Sequence, residues 1–293
     1  MSDARSAGPG AAVAAAEPVK SALRREDTLF SRRRYEEALA LLTEVLGRAD
    51  LTKRQRFEAL RRKAECLENL RRPRAAVALL RGIARAYPDE ALGHSLLGEY
   101  LYRVHDDVRG AIRALNRALR LDPKDTDSLW WKGQVWELGL ADFRRARRCY
   151  LAALAADPGC AAAMDSLASV CEAEAKWVEA VDWRKAHYRR ARAASDLVHL
   201  ADLYLRLGNP QAAVKYARSA VRRNPDSATA WLNYAKAHAA GGRPGAAAAG
   251  LRRFIGIADA KTGPFVTSRD FSFLEPVLDR PEVRALLPRL PAQ

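Results

Sequence analysis

The chain has 293 residues, 49% hydrophobic and 29% charged, which is enough for one large domain or two average ones. Gly 17 and Pro 14 exclude a collagen-like or wholly disordered chain, and no apolar run approaches the ~20 residues of a membrane helix. The 50 Lys and Arg against 35 Asp and Glu leave a net charge of +15, which suits acidic partners such as nucleic acid, a membrane surface or an acidic protein.

Arg far exceeds Lys and Ala is abundant, a bias that a GC-rich coding sequence also produces. Residues 1–18 read as a disordered Ala/Gly/Pro leader. The apolar run Ala11–Ala16 is too short for a secretory signal, so a cytoplasmic location is expected. Cys66, Cys149, Cys160 and Cys171 carry no CxxC pair or nearby His. They read as small packing residues rather than metal ligands or disulfides.

From residue 19 onward a repeat dominates the chain. Proline after an acidic or polar residue recurs at Pro88, Pro123, Pro158 and Pro225, with one missing in phase near Arg192. An alanine slot recurs at Ala38, Ala76, Ala111, Ala146, Ala180 and Ala213, preceded three residues earlier by Tyr35, Phe143 or Trp177 in several units. Small residues stand twelve or thirteen positions before that slot, at Ala64, Gly98, Gly133, Ala168, Ala201 and Ala235. A further small or apolar position follows it by seven, at Val45, Ala118, Ala153 and Ala220. Between these, apolar residues fall at helical spacing, as in Leu197, Leu200, Ala201 and Tyr204. The pattern predicts two antiparallel helices per unit, with small residues at close backbone approaches and proline ending each unit.

These positions resemble the tetratricopeptide repeat, with its small residue in helix A, its aromatic near the A–B turn, its close-packed alanine in helix B and its terminal proline. The resemblance implies an all-α, right-handed α-solenoid of about seven helix pairs with a C-terminal helical cap. The units are placed at 19–50, 57–90, 91–125, 126–160, 161–193, 194–227 and 228–257. Units three and four run 35 residues, read as one extra residue at the A–B turn. A basic stretch, LTKRQR (51–56), follows unit one. Unit five carries Arg184 where a large apolar residue is usual, and the small-residue run GGRPGAAAAG of unit seven is expected to pack loosely. In the tail, 258–293, Phe271, Leu274, Val277 and Leu278, then Val283, Leu286 and Leu287, form two apolar stripes suited to covering the last repeat. A detachable partner-binding peptide is the alternative there.

No Walker loop, GxGxxG, HExxH or GxSxG is present, and the five histidines are scattered, so a non-catalytic chain without cofactor or metal is expected. Charge, in contrast, is sorted. In units two to six the A-helix windows carry net −5 and the B-helix windows net +16. In the family the A helices line a concave groove, which here implies a mildly acidic groove and a basic back. The family's groove positions include Glu65, Glu68, Glu99, Tyr102, Asp127, Trp130, Gln134, Glu137, Asp165, Glu172 and Asp202. The Lys/Asn/Arg carboxylate clamp of some members is not visible. Trp130 and Tyr102 are the candidate anchors, with packing beside Trp131 and Trp136 the alternative for Trp130. The sequence thus suggests a scaffold or adaptor that takes a protein or peptide segment, basic plus apolar, in the groove. The alternative is nucleic acid held on the back through Arg144, Arg145, Arg148, Lys185, Arg189 and Arg190. No membrane partner is expected, and self-association through the array ends stays open.

Overall fold

A computed structural model describes residues 18–104, 106–258 and 272–286. The expected leader, apart from Pro18, lies outside the described residues, as do Phe271 and Leu287 of the tail. The helices are α1 (Val19–Ser31), α2 (Tyr35–Leu46), α3 (Lys53–Asn69), α4 (Pro73–Ala86), α5 (Ala91–Arg103), α6 (Val108–Leu121) and α7 (Thr126–Gln134). They continue with α8 (Phe143–Ala156), α9 (Ala161–Ala173), α10 (Trp177–Ala191), α11 (Ala194–Arg206), α12 (Pro210–Arg223), α13 (Ala228–Ala240) and α14 (Pro244–Ala258). A 3₁₀ turn, Glu275–Val277, and a short helix, Pro281–Arg284, follow. No strand occurs among the described residues. None of their helices is long and apolar enough to cross a membrane.

Odd-numbered helices from α1 to α13 are the A helices and even-numbered ones the B helices. Contacts divide the chain into two compact bodies, Met1–Leu121 and Asp122–Gln293, so the boundary falls between the third and fourth helix pairs. Within each body every helix packs on its chain neighbours.

The turn inside each hairpin has one chemical signature. A single residue with positive φ ends each A helix: Arg33, Arg71, Asp106, Ala141, Ala175, Gly208 and Gly242. This left-handed residue reverses the chain while its neighbours' N–H groups return to the helix, as when Lys176 donates to the Cys171 carbonyl at 2.8 Å. Side chains then start several B helices. Asp142 accepts the Arg145 N–H at 2.8 Å, Asn209 accepts that of Ala212 at 3.0 Å, and Pro73 and Pro210 stand at the first helical turn, where a missing N–H costs nothing. At the end of the fifth pair, where proline is missing, Arg192 adopts φ 55° and stops α10 instead.

The recurring small residues sit where the hairpins close. Ala38, Ala76, Ala111, Ala146, Ala180 and Ala213 are all fully buried, as are Ala168, Ala201 and Ala235 opposite them. The tightest junction is Gly133 against Tyr150, itself fully buried. In the tail, Leu274, Val277, Val283 and Leu286 bury against Leu232, Leu251 and Phe254 of the last pair, so this segment covers the apolar face that an unpaired last repeat would expose.

Three local expectations are corrected. The LTKRQR stretch is not a separate insertion, because α3 starts inside it: Thr52 accepts the Gln55 N–H at 3.2 Å and the Gln55 side chain caps Thr52 in return. The extra residue of the fourth unit does not lie in its A–B turn. It is absorbed in a π turn, Val135–Gly139, at the end of the A helix. Finally, the GGRPGAAAAG run is close-packed rather than loose. Ala247 and Ala248 are fully buried, and a β-carbon on Gly250 would meet Tyr234 at 3.0 Å.

Candidate protein-binding face

Within each body the A helices stand side by side, and polar side chains tie each to the next. In the first body Arg62 of α3 bonds Glu26 of α1 at 2.6 Å, and Arg103 of α5 bonds Glu68 of α3 at 2.8 Å. In the second body the Trp130 indole N–H of α7 donates to Ser166 Oγ of α9 at 3.0 Å. Glu172 of α9 faces His199 of α11 at 3.5 Å, and Lys236 of α13 donates to Asp202 of α11 at 2.9 Å. A helical repeat places equivalent side chains about one repeat apart in sequence on adjacent A helices, so each such pair is a rung between neighbouring repeats. The rungs are partly or wholly shielded, and each joins groups whose isolated burial would be costly.

This alters what the sequence-predicted groove residues are available to do. Glu65 is held by Arg61 within α3, and Glu68 and Glu99 both pair with Arg103. Asp202 is shared by Arg206 at 2.6 Å and Lys236 at 2.9 Å. Burial favours the neutral acid at Asp202, but the two cations outweigh it and hold the carboxyl below its ordinary range. Glu137 is buried and accepts the Tyr150 hydroxyl at 2.6 Å. Its pKa is raised, chiefly by that burial. Gln134 donates to Tyr150 and to Ser166, at 2.8 and 3.1 Å. Trp130 is half-buried, with its N–H engaged and its ring edge-on to Trp131, 4.7 Å between centroids. Tyr102 is half-buried on α5, and Asp127 is exposed on α7.

One cluster in the second body is unbalanced. The Arg184 guanidinium on α10 is 4% exposed. It donates to Asp165 and, at 2.8 Å, to Glu172, both on α9. It also donates to Ser169 at 3.2 Å and lies 3.6 Å from the fully buried Asp196 of α11. Asp196 is also bonded by His187 at 2.9 Å. Three carboxylates therefore share one guanidinium, with His187 and His199 beside them. At Glu172 burial is outweighed by His199 and Arg184, so its pKa is lowered. Asp165, His187 and Asp196 bring possible metal-ligand atoms within 4.8 Å of one another, but Arg184 already bridges the two carboxylates of that set. The side chain of Asp165 is 50% exposed and that of His199 44%. His199 also lines a cavity of about 300 Å³ together with Val198 of α11 and Thr229 of α13. Glu172 therefore meets, at His199, a small cavity that Ala220 of α12 and Asn224 just after it also line.

Sequence reasoning missed His199 and Ser166 as members of this face, and it placed Arg184, an oddity in its slot, on the basic back, whereas Arg184 is buried. The available signal was that a charged residue in an apolar slot needs acids from adjacent helices, and Asp165 and Asp196 stand in the helices before and after it.

On the other side, Arg144, Arg145, Arg148, Arg189 and Arg190 are exposed and Lys185 is half-buried. Arg145 pairs with Asp142 at 3.5 Å and lies over the Trp136 ring. Lys185 lies over Tyr204, and Arg190 donates to the Gly159 carbonyl. No ion pair holds Arg144, Arg148 or Arg189 among the described residues.

Hairpins of similar length, joined within each body through A-helix rungs, define a helical-repeat scaffold. The chain belongs to the tetratricopeptide repeat family, whose sequence models match residues 29–100, 95–139, 137–196 and 199–261. Solved structures give the same fold. PilW, described as a widely conserved type IV pilus biogenesis factor, is similar with TM-score 0.61 and 21% identity over 74% of this chain and 98% of that one. Pseudomonas aeruginosa PilF has TM-score 0.58 and 17% identity over 74% and 94%. YrrB, described as a TPR protein with an unusual peptide-binding site, has TM-score 0.55 and 15% identity over 62% and 94%. No curated protein matches the chain in sequence.

Proposed function

We propose that this protein is a non-catalytic scaffold that takes a protein or peptide segment, basic plus apolar, on the A-helix face of its second body. One observation carries the reading: Asp165, Glu172 and Asp196 share a single guanidinium, the side chain of Asp165 is 50% exposed, and His199, which faces Glu172, lines a cavity. A guest Lys or Arg would complete the charge balance at Asp165, and an adjacent apolar side chain would fill the cavity between Val198 and Thr229. Asp127 and the half-buried ring of Trp130 extend the same face toward α7. The carboxylates at Glu68 and Asp202 serve mainly to hold neighbouring A helices together, and Glu99 pairs with Arg103 within α5. The general role accords with the family, whose members bind protein or peptide partners. Affinity purification from the native host, with mass spectrometry and nuclease treatment, is the test. A protein partner that survives nuclease and weakens about tenfold or more with Asp165→Asn supports the reading. Unchanged binding by that variant overturns it.

A second reading places nucleic acid on the B-helix side, where Arg144, Arg148 and Arg189 stand exposed without carboxylate partners. Such binding would weaken steeply with added salt. A protein that fails to shift DNA or RNA at ~50 mM salt ends that reading.

A further inference from the structure

Along the B helix α12 of the second body, where it meets α13, lies an open cleft of about 710 Å³. Its floor is apolar, formed by Val214 and Val221 of α12 and by the half-buried rings of Trp231 and Tyr234 on α13. The two rings meet edge to face, 5.5 Å between centroids. Its rim is cationic. Lys215, Arg218 and Arg222 follow one another along α12 over about 10 Å of helix, and Arg253 of α14 lies over the Trp231 ring at 6.0 Å. All four are exposed, and among the described residues none forms an ion pair. From Pro210 to Ala258 the only acidic residue is Asp226, in the turn between α12 and α13.

This arrangement differs from a cationic cleft in the first body. There a cavity of about 370 Å³ is lined by Arg81, Arg85, Arg113 and Arg117, but it contains Asp107, and Arg117 pairs with Asp89 at 3.2 Å. The rungs of the A-helix face are compensated in the same way by side chains of the chain itself. Cations three and four residues apart on one helix repel one another, so the α12 rim contributes nothing to stability and lacks a counter-charge.

We propose that the α12–α13 cleft is a second docking site, for an acidic peptide segment carrying a large apolar side chain. Carboxylates of the guest meet Lys215, Arg218 and Arg222, and its apolar side chain covers Val214, Val221 and the exposed parts of Trp231 and Tyr234. The floor decides between peptide and nucleic acid. A strand of nucleic acid would need open ring faces for its bases, yet Trp231 is covered by Arg253 and by the edge of Tyr234, and its N–H is spent on the Pro225 carbonyl at 2.7 Å. The site uses none of the residues named for the function proposed above, so it stands or falls separately from it.

The test is selection of a displayed random-peptide library on the full chain, followed by fluorescence polarisation of the enriched peptides. A labelled oligothymidine strand serves as competitor. Sequences rich in Asp and Glu with an aromatic or large aliphatic residue are expected. Their affinity should fall about tenfold or more with Arg218→Glu/Arg222→Glu, or with Lys215→Glu, and stay unchanged with Asp165→Asn. All three substituted cations are exposed, so melting temperatures should match the parent. Absence of acidic sequences among the selected peptides, binding within about twofold of the parent in these variants, or tighter binding of the oligothymidine at the same residues would each overturn the proposal.

Discussion

Gly133 of α7 and Tyr150 of α8 share one space: a β-carbon built on Gly133 would stand 2.2 Å from the Tyr150 ring. Neither residue can change size alone. The ring fills the junction of the hairpin, and its hydroxyl bonds Glu137 just beyond, inside the π turn. Gly133→Ala should therefore cost about 1–3 kcal/mol through overpacking, and Gly133→Leu should prevent folding of that pair. Equilibrium urea unfolding measures this, and a parent-like midpoint for Gly133→Leu would contradict the register of the fourth repeat.

Arg184 occupies a slot that an apolar side chain normally fills, and it is stable there because α9 and α11 supply its acids. Removing it takes the guanidinium from Asp196, which is fully buried and keeps His187 as a partner. Arg184→Met should destabilise by about 3 kcal/mol or more, and adding Asp196→Asn should recover part of the loss. A double-mutant cycle by denaturant titration reads the coupling.

The left-handed turn residues make a prediction in the opposite direction. Ala175 has φ 56° and Ala141 φ 51°, conformations that a β-carbon disfavours. Ala175→Gly relieves that strain at the expense of a more flexible unfolded chain, for a net gain of about 0.5–1 kcal/mol. Gly208→Ala, at φ 67°, should lose a similar amount. Paired thermal melts check both signs.

His238 is 1% exposed, packs beside Tyr234 at 4.3 Å between ring centroids, and has no hydrogen-bond partner on either nitrogen. Burial, aided by Arg218 and Arg243, lowers its pKa. The unfolded chain therefore takes up a proton near pH ~6.5 that the folded chain refuses until lower pH. Stability from this residue is full above that range and falls as the pH drops through it toward the folded pKa. His238→Phe should flatten the fall in melting temperature between about pH 7 and 5. An unchanged slope would show that other groups set it.

The repeat was legible because its signals are local. Alanines at fixed spacing report close approach of two helices in one hairpin, and every one of the six slot alanines is fully buried. Where the excess residue of the fourth repeat goes was not legible, since a hairpin can absorb it in the turn or in the helix and spacing alone does not distinguish them. Net charge per helix was read correctly, but its availability was not. Glu68 finds Arg103 and Asp202 finds Lys236 only when neighbouring A helices stand side by side, and single-helix windows do not contain that information. Arg184 shows the converse: its misfit in the pattern was visible, while the three carboxylates that explain it come from two other helices.

Photo-cross-linking tests the central claim most directly, because it asks which face of the second body the partner touches. With a photoreactive side chain at Val198, beside the cavity at His199, and separately at Arg144 on the opposite side, the native protein partner should form adducts from Val198 and none from Arg144. Adducts from Arg144 with none from Val198 would contradict an A-helix binding face.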